Sequence, residues 1–454
     1  MQRKDFIKLT SLGLLSIPFL SFENHKIVGK SKKVIIIGAG MAGAAAARTL
    51  KEAGCEVVVL EARDRTGGRI HTHTDGGMNI ELGANWIHNA HLPENPLLNY
   101  AKKLNIKTKS TSYSNLKVYD EHGDTISKLT LGLFYLWFEK KLNKKVHLIN
   151  SSSSDISLKE VLDKVLKDAH FSAKEKRIAA LIKESYTNNL AANLQDASAK
   201  YYLNTSVRKE EDDFFVLGGY SRIIQDVMQG IDIKLNHIVR EVSHKRDSVE
   251  VITDRQTFEA DYVMITVPIS ILQKGQIAFS SALPDWKMNA FSKMKMGIFN
   301  KVIMEFTEKF WKGDADFQCY PTDLGNAFGI AVNYHHYTDK TLLIAMPVDK
   351  AALWVEDNEI AMIQKSWEQI LHQAHPNKTI EFKNVMVTKW NADKFSQGSY
   401  THVPIGTTTA DFDALQQAIG RIHFAGEATD IAHHETVHGA YISGIREANK
   451  ILNN

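Results

Sequence analysis

Val34-Ile35-Ile36-Ile37-Gly38-Ala39-Gly40-Met41-Ala42-Gly43 is the stretch on which the fold turns. Its first four residues form a continuous β-branched run, the texture of a strand buried on both faces of a parallel sheet. The GxGxxG spacing of Gly38, Gly40 and Gly43 lets the backbone turn sharply and brings amide N–H groups and a helix N-terminus against a pyrophosphate. Met41 to Ala53 is rich in alanine and ends at Gly54, a suitable residue just past a helix. Glu56 to Leu60 reads as a second apolar strand. Glu61 at its end falls about twenty residues after the glycines, where a dinucleotide fold places the carboxylate that takes a ribose hydroxyl. The glycine loop alone is a weak signal; strand, turn, helix, strand and acid in that order predict a doubly wound α/β domain that binds a dinucleotide.

Farther along, the texture changes. Residues 100–213 carry lysine-rich amphipathic stretches such as Leu158 to Ala169 and Ala173 to Lys183, and read as mostly helical. After Gly218-Gly219 another helix is expected, followed by strands near 231–235, 248–253 and 258–266. The 261–268 segment returns to the buried-strand texture of the first domain. Lys301 to Phe306 alternates as a strand, 361–374 reads as a helix, and Arg421 to Phe424 is a short strand before a small-residue helix ending near Ile451. These returns predict two interleaved units. Residues 31–98, 215–290 and 395–454 form the doubly wound, dinucleotide-binding one; residues 99–214 and 291–394 form an α+β substrate-binding one.

Bulk properties exclude some functions. With 454 residues, 44% hydrophobic and a net charge of +3, the chain can bury a large core and has no basic excess that asks for nucleic acid. Seven of its basic residues, against two acids, lie in Met1 to Lys33. There Arg3, Lys4 and Lys8 precede an apolar run from Leu9 to Phe22, the pattern of an export signal that predicts a periplasmic protein. The run is too short to span a bilayer as a standard helix, so no stable membrane insertion is expected beyond it. Its start is similar to a twin-arginine signal with Lys4 in place of the second arginine. Cys55 sits at the entry to an apolar strand, where a buried free thiol is commoner than a disulfide to Cys319. No His or Cys spacing suggests a metal site, and His433-His434 reads as a polar loop.

Three further segments carry a family resemblance. Glu61-Ala62-Arg63-Asp64-Arg65-Thr66-Gly67-Gly68-Arg69, Phe424-Ala425-Gly426-Glu427-Ala428-Thr429 and Thr436-Val437-His438-Gly439-Ala440-Tyr441 resemble the flavin motifs of the amine oxidase superfamily of polyamine and monoamine oxidases. The resemblance implies FAD. Arg63, Gly68 and Arg69 would then contact it, Gly68 by close backbone approach and Arg69 by fixed donors. Gly426, Glu427, Thr436 and Val437 would complete its site, with a helix dipole directed at the flavin. Val239 would meet the adenine through its backbone.

The same resemblance points to the chemistry. Gly297-Ile298-Phe299-Asn300-Lys301-Val302 is similar to the segment whose lysine holds a water beside the flavin N5. Gly83-Ala84-Asn85-Trp86-Ile87-His88 is similar to the polyamine oxidase loop beneath the flavin, where a histidine faces the substrate. His88 could hold or deprotonate the amine, since an imidazole titrates near neutrality. Trp390-Asn391-Ala392-Asp393-Lys394-Phe395-Ser396-Gln397-Gly398-Ser399-Tyr400 resembles the stretch that presents an aromatic wall, with Tyr400 favouring cations. Ser399 stands where covalently flavinylated relatives carry cysteine, so the FAD should be non-covalent. Thr436 stands where monoamine oxidases carry a second cage tyrosine, which implies a more open pocket. No arginine lies between Gly83 and His91 to clamp a carboxylate, which disfavours α-amino acids. Residues 210–213 are acidic and read mainly as a solvated loop, with attraction of a polycation as the alternative.

The expected reaction is oxidation of an amine to an imine by hydride transfer to the flavin, hydrolysis to an aldehyde, and return of electrons to O2 as H2O2. The rivals are an L-amino acid oxidase, another flavoenzyme of the superfamily and a non-catalytic flavin-bearing module.

Overall fold

The computed structural model describes residues 31–75, 78–151, 154–167, 170–204, 213–321 and 328–454. The signal-like segment lies outside them. The β-branched run forms the strand Lys33–Ile37, buried from Val34 onward. It pairs in parallel with Glu56–Leu60 on one side and Tyr262–Ile265 on the other. Asp232–Lys234 extends the first edge and Ile422–Phe424 the second, so all five neighbouring strands run parallel. A sheet of this kind needs cover on its faces, and helix Met41–Glu52 supplies part of it.

Close approach sets the glycines in that helix and its neighbour. At Gly43 an added Cβ would lie 2.0 Å from the Gly38 carbonyl oxygen, so no side chain fits where the helix leaves the turn. At Gly444 a Cβ would lie 2.2 Å from the Ala42 carbonyl oxygen. That contact lets the C-terminal helix Val437–Asn453 lie directly on Met41–Glu52.

A second, six-stranded sheet runs in the order Phe382–Val387, Val302–Phe306, Leu342–Ala345, Phe328–Asn333, Phe317–Pro321, Leu116–Val118. Strand alternation sorts its side chains. Ile303, Phe317 and Ile344 join one core with Phe138, Leu162 and Ile182 from the helices Lys128–Ser151, Leu158–Leu166 and Ala173–Leu190. Val302, Met304 and Leu343 join another with Trp367 and Leu371 of helix Ile360–Ala374. Ser157 accepts from Glu160 N–H and Ser172 forms a capping box with Glu175, so two of these helices begin where side-chain acceptors satisfy their first amides.

The structure departs from the sequence reading in three places. The single strand expected over 258–266 is two: Thr257–Ala260 lies in an antiparallel sheet and Tyr262–Ile265 in the parallel one. The change falls at Asp261, whose carboxylate accepts from Lys33 N–H at 2.7 Å and whose own N–H donates to the Lys33 carbonyl at 3.0 Å. These bonds turn the chain from one sheet into the other. The mostly helical middle also holds the strands Thr108–Ser110 and Leu116–Val118. Helix Ala173–Leu190 runs seven residues past the expected Lys183. Cys55 and Cys319 are both free, and burial pushes the Cys319 thiol up to about 12. No helix among the described residues is long and apolar enough to cross a membrane.

Candidate active site

One large cleft, with about 1520 Å³ of empty space, opens where the parallel sheet, the C-terminal helix and the second sheet meet. Gly40, Met41 and Ala42 of the first turn line one end, with Gly67 and Arg69 beside them. Gly83, Ala84, Asn85, Trp86 and His88 form a continuous wall. Lys301, Trp390, Ser399 and Tyr400 face it, and Gly426, Glu427, Thr436 and Val437 complete the enclosure. Fourteen of the sequence-nominated residues thus share one cavity, although they come from segments more than three hundred residues apart.

Six nominated residues do not line it. Gly38 and Gly43 shape the turn from behind. Glu61 is buried and accepts from the N–H groups of Ala39 (2.7 Å) and Arg63 (2.9 Å); burial raises its pKa against those two bonds. Arg63 forks onto Asp393 at 2.8 and 2.6 Å and reaches Ser396 at 2.9 Å, which fixes the loop before Tyr400. Gly68 adopts a positive φ of 57° next to Gly40. Val239 starts the strand Val239–His244 and packs in the core under the parallel sheet.

Arg69 donates to Glu427 Oε1 at 2.9 Å and to the Ser399 carbonyl at 3.0 Å. Burial pushes the Glu427 carboxyl up, but the Arg69 guanidinium and the Thr401 hydroxyl more than offset it and hold it below its usual range. Burial lowers His434 to about 4, so its ring is neutral where it meets Thr401 Oγ1 at 2.7 Å. His433 instead faces Asp430 and Glu94.

Lys301 is only 3% exposed. Its Nζ donates to the carbonyls of Glu81 (2.6 Å) and Gly83 (2.7 Å) and to Asn85 Oδ1. Burial pushes this ammonium well below the ordinary lysine range, and the nearby Glu81 carboxylate only partly restores it. His88 Nδ1 lies 2.6 Å from Asp213 Oδ2, which also accepts from the Tyr113 hydroxyl at 2.8 Å. Asp213 Oδ1 accepts from Asn89 N–H at 2.9 Å. Asp213 is fully buried, so the solvated loop read for the acidic run does not hold at this residue; 210–212 lie outside the described residues.

Tyr400 donates to the Asn188 carbonyl at 3.0 Å, and its ring stands 6.1 Å from that of Phe299 at 44°. The Ser399 hydroxyl binds both backbone groups of Phe299, each at 2.7 Å, which locks this aromatic pair in place. Thr436 caps the C-terminal helix, accepting from Gly439 N–H at 3.0 Å and donating to the His433 carbonyl at 2.7 Å. Its hydroxyl is therefore held by the helix start.

Sequence reasoning missed Phe299, Tyr113, Phe317, Asn188, Asn189 and Glu435 on the cavity wall, and Asp213 behind it. A signal existed for Phe299 alone, since two-residue alternation places it on the same face as Lys301.

The donor set fits a flavin dinucleotide. The Gly40 turn and the start of the Val437–Asn453 helix converge on the cavity with amide groups suited to anionic oxygens. Asn85 Nδ2 is buried on the wall with no protein partner, as a donor reserved for a ligand would be. Gly43→Val tests the cradle: the clash with Gly38 should leave the purified protein colourless, with flavin absorbance reduced to less than about a tenth of wild type.

The chain matches a family of flavin-containing amine oxidoreductases over residues 41–452. It is 33% identical to a lysine-specific histone demethylase 1 homologue from Arabidopsis thaliana over 93% of its own length, though it spans only 59% of that relative. It is 33% identical to polyamine oxidase 4 of Oryza sativa subsp. japonica, covering 92% of this chain and 88% of the relative. A solved putrescine oxidase double mutant, redesigned in its cofactor binding, superposes with a TM-score of 0.76 over 93% of this chain and 99% of the other, at 20% identity.

Proposed function

The chain belongs to the flavin-containing amine oxidoreductase family, and from that premise we propose that it oxidises a primary or secondary amine, polyamines before α-amino acids, with non-covalently held FAD and O2 reduced to H2O2. The observation that carries this reading is the charge of the cavity wall. Arg69 is its one arginine among the described residues, and its guanidinium is committed to Glu427 and Ser399. A substrate carboxylate thus meets no arginine clamp, while the Tyr400 and Phe299 rings offer apolar and π surface that suits an alkylamine or its cation.

A flavin held along the Gly40 turn, Arg69 and the Thr436–Val437 helix start would supply the two-electron acceptor for oxidation of the C–N bond, with oxygen as the final acceptor. The chain's own residues prepare that event. His88, oriented by Asp213, is placed to take the ammonium proton, since only the neutral amine can give up hydride. Tyr400 and Phe299 hold the alkyl chain and exclude water around it. Lys301 Nζ, with its basicity lowered by burial and held by Glu81, Gly83 and Asn85, can hold or release a proton at the cavity wall. Neither Cys55 nor Cys319 reaches the wall, and Ser399 stands there with its hydroxyl engaged, which supports non-covalent attachment.

An anaerobic titration of the flavin-loaded protein with spermine, spermidine, putrescine, benzylamine, tryptophan and phenylalanine tests this. Bleaching by a polyamine, followed by peroxide release on admitting air, is expected. Bleaching by the amino acids alone would assign an amino acid oxidase, and no bleaching by any amine would leave a flavin-bearing module.

A further inference from the structure

Helix Lys128–Ser151 buries Leu131, Phe134, Phe138 and Leu142 against the second domain's core. Its outward face is unusual. Leu129, Leu133 and Leu136, spaced four and three apart, are 72%, 60% and 71% exposed. The same outward row continues with Lys140 and Lys144, flanked by Lys141 and Lys145, all exposed. Glu139 is the one acid in the whole helix. One continuous face is therefore leucine for its first half and lysine for its second. Trp137, half-buried beside the leucines against Phe134 and Phe171, adds a residue type favoured where water meets lipid.

We propose that this face is a docking surface for an anionic lipid bilayer, on which the protein adsorbs without spanning it. The leucines would enter the boundary between headgroups and acyl chains, and the lysines would meet the negative headgroups, the pattern of a helix lying in the membrane interface. The charge makes a neutral partner a poor fit. The area argues against a second copy of the chain, because three leucines offer a few hundred Å² at most against roughly 800 Å² per partner in a standard protein interface. A convex row of side chains also presents no groove for a peptide.

Co-sedimentation of the flavin-loaded full chain with vesicles tests the proposal, using phosphatidylcholine alone and phosphatidylcholine with about one-third phosphatidylglycerol. Binding to the anionic vesicles is expected to exceed that to neutral ones about tenfold or more at low salt, and to fall as salt is added. The triple variant Leu129→Ser, Leu133→Ser, Leu136→Ser should lose about tenfold or more in partitioning. The pair Lys140→Gln, Lys144→Gln should lose severalfold, and both variants should keep wild-type activity in solution. All forms share the amino-terminal apolar run, so equal vesicle binding by wild type and the leucine variant would overturn the proposal. So would equal binding to the two kinds of vesicle. Self-association that the leucine variant abolishes, without vesicle binding, would assign the face to a second copy instead.

Discussion

Lys301→Met is expected to leave flavin bound and to lower kcat by roughly a hundredfold or more, the scale of losing one positioned proton-transfer group. Lys301 reaches the cavity from the residue just before the strand Val302–Phe306, and its Nζ gathers three acceptors from one short segment, the carbonyls of Glu81 and Gly83 and the Asn85 side chain. An exposed lysine stays charged throughout the physiological range. Here burial lowers the ammonium's stability, and the Glu81 carboxylate, itself raised by burial, opposes that shift only in part. The direction of that shift brings Nζ closer to proton exchange than an exposed lysine would be. Methionine nearly matches the lysine in length and keeps the wall filled. It removes the proton and leaves two carbonyls without this donor, at about 1–3 kcal/mol each, so the melting temperature should fall as well. Flavin content, melting temperature and peroxide formation measured on one preparation separate the effects. A variant with full kcat would remove Lys301 from the chemistry, and one that loses its flavin would make it a structural residue.

The start of the parallel sheet was readable because its signals are local. A β-branched run, a glycine turn and an alanine-rich helix each act within a few residues, and Gly43 shows why the spacing is strict: its missing Cβ is the space that the Gly38 carbonyl fills. Lys301, His88, Tyr400 and Glu427 came from short segments similar to those of a known family, and the fold brings all four to one cavity. The unread residues depend on tertiary placement. Asp213 looked like one more charge in an acidic run, yet its carboxylate is closed off from solvent by Tyr113 and His88, which precede it by at least one hundred positions. Asn188 and Asn189 lie near the end of a helix whose pattern carried no hint of a ligand, and they line the cavity where the Tyr400 hydroxyl meets their carbonyls. The break at Asp261 showed only as a change from alternating to continuous apolar texture, because what separates the two strands is a change of hydrogen-bonding partner set by the fold.

Asp213 supplies the other large effect. Asp213→Asn should lower kcat/KM by roughly a hundredfold, although Asp213 itself does not line the cavity, if the proposed His88 base depends on the bond Asp213 makes to its Nδ1. The carboxylate is acceptor-only, so it obliges His88 Nδ1 to carry a proton and turns the ring by that bond. An asparagine can instead donate from its amide to Nδ1, which selects the other tautomer and leaves the ring a poor acceptor for an ammonium proton. It also removes the charge that would stabilise the ring once protonated. Tyr113→Phe deletes one donor to the same oxygen but keeps the charge and the His88 bond, so it should cost less than about tenfold. A double-mutant cycle distinguishes positioning from general damage. If Asp213 acts through His88, then His88→Ala combined with Asp213→Asn is no slower than His88→Ala alone, with flavin content unchanged in every form. Losses that multiply would mean that Asp213 supports the fold around the 83–88 wall and does nothing particular for the histidine.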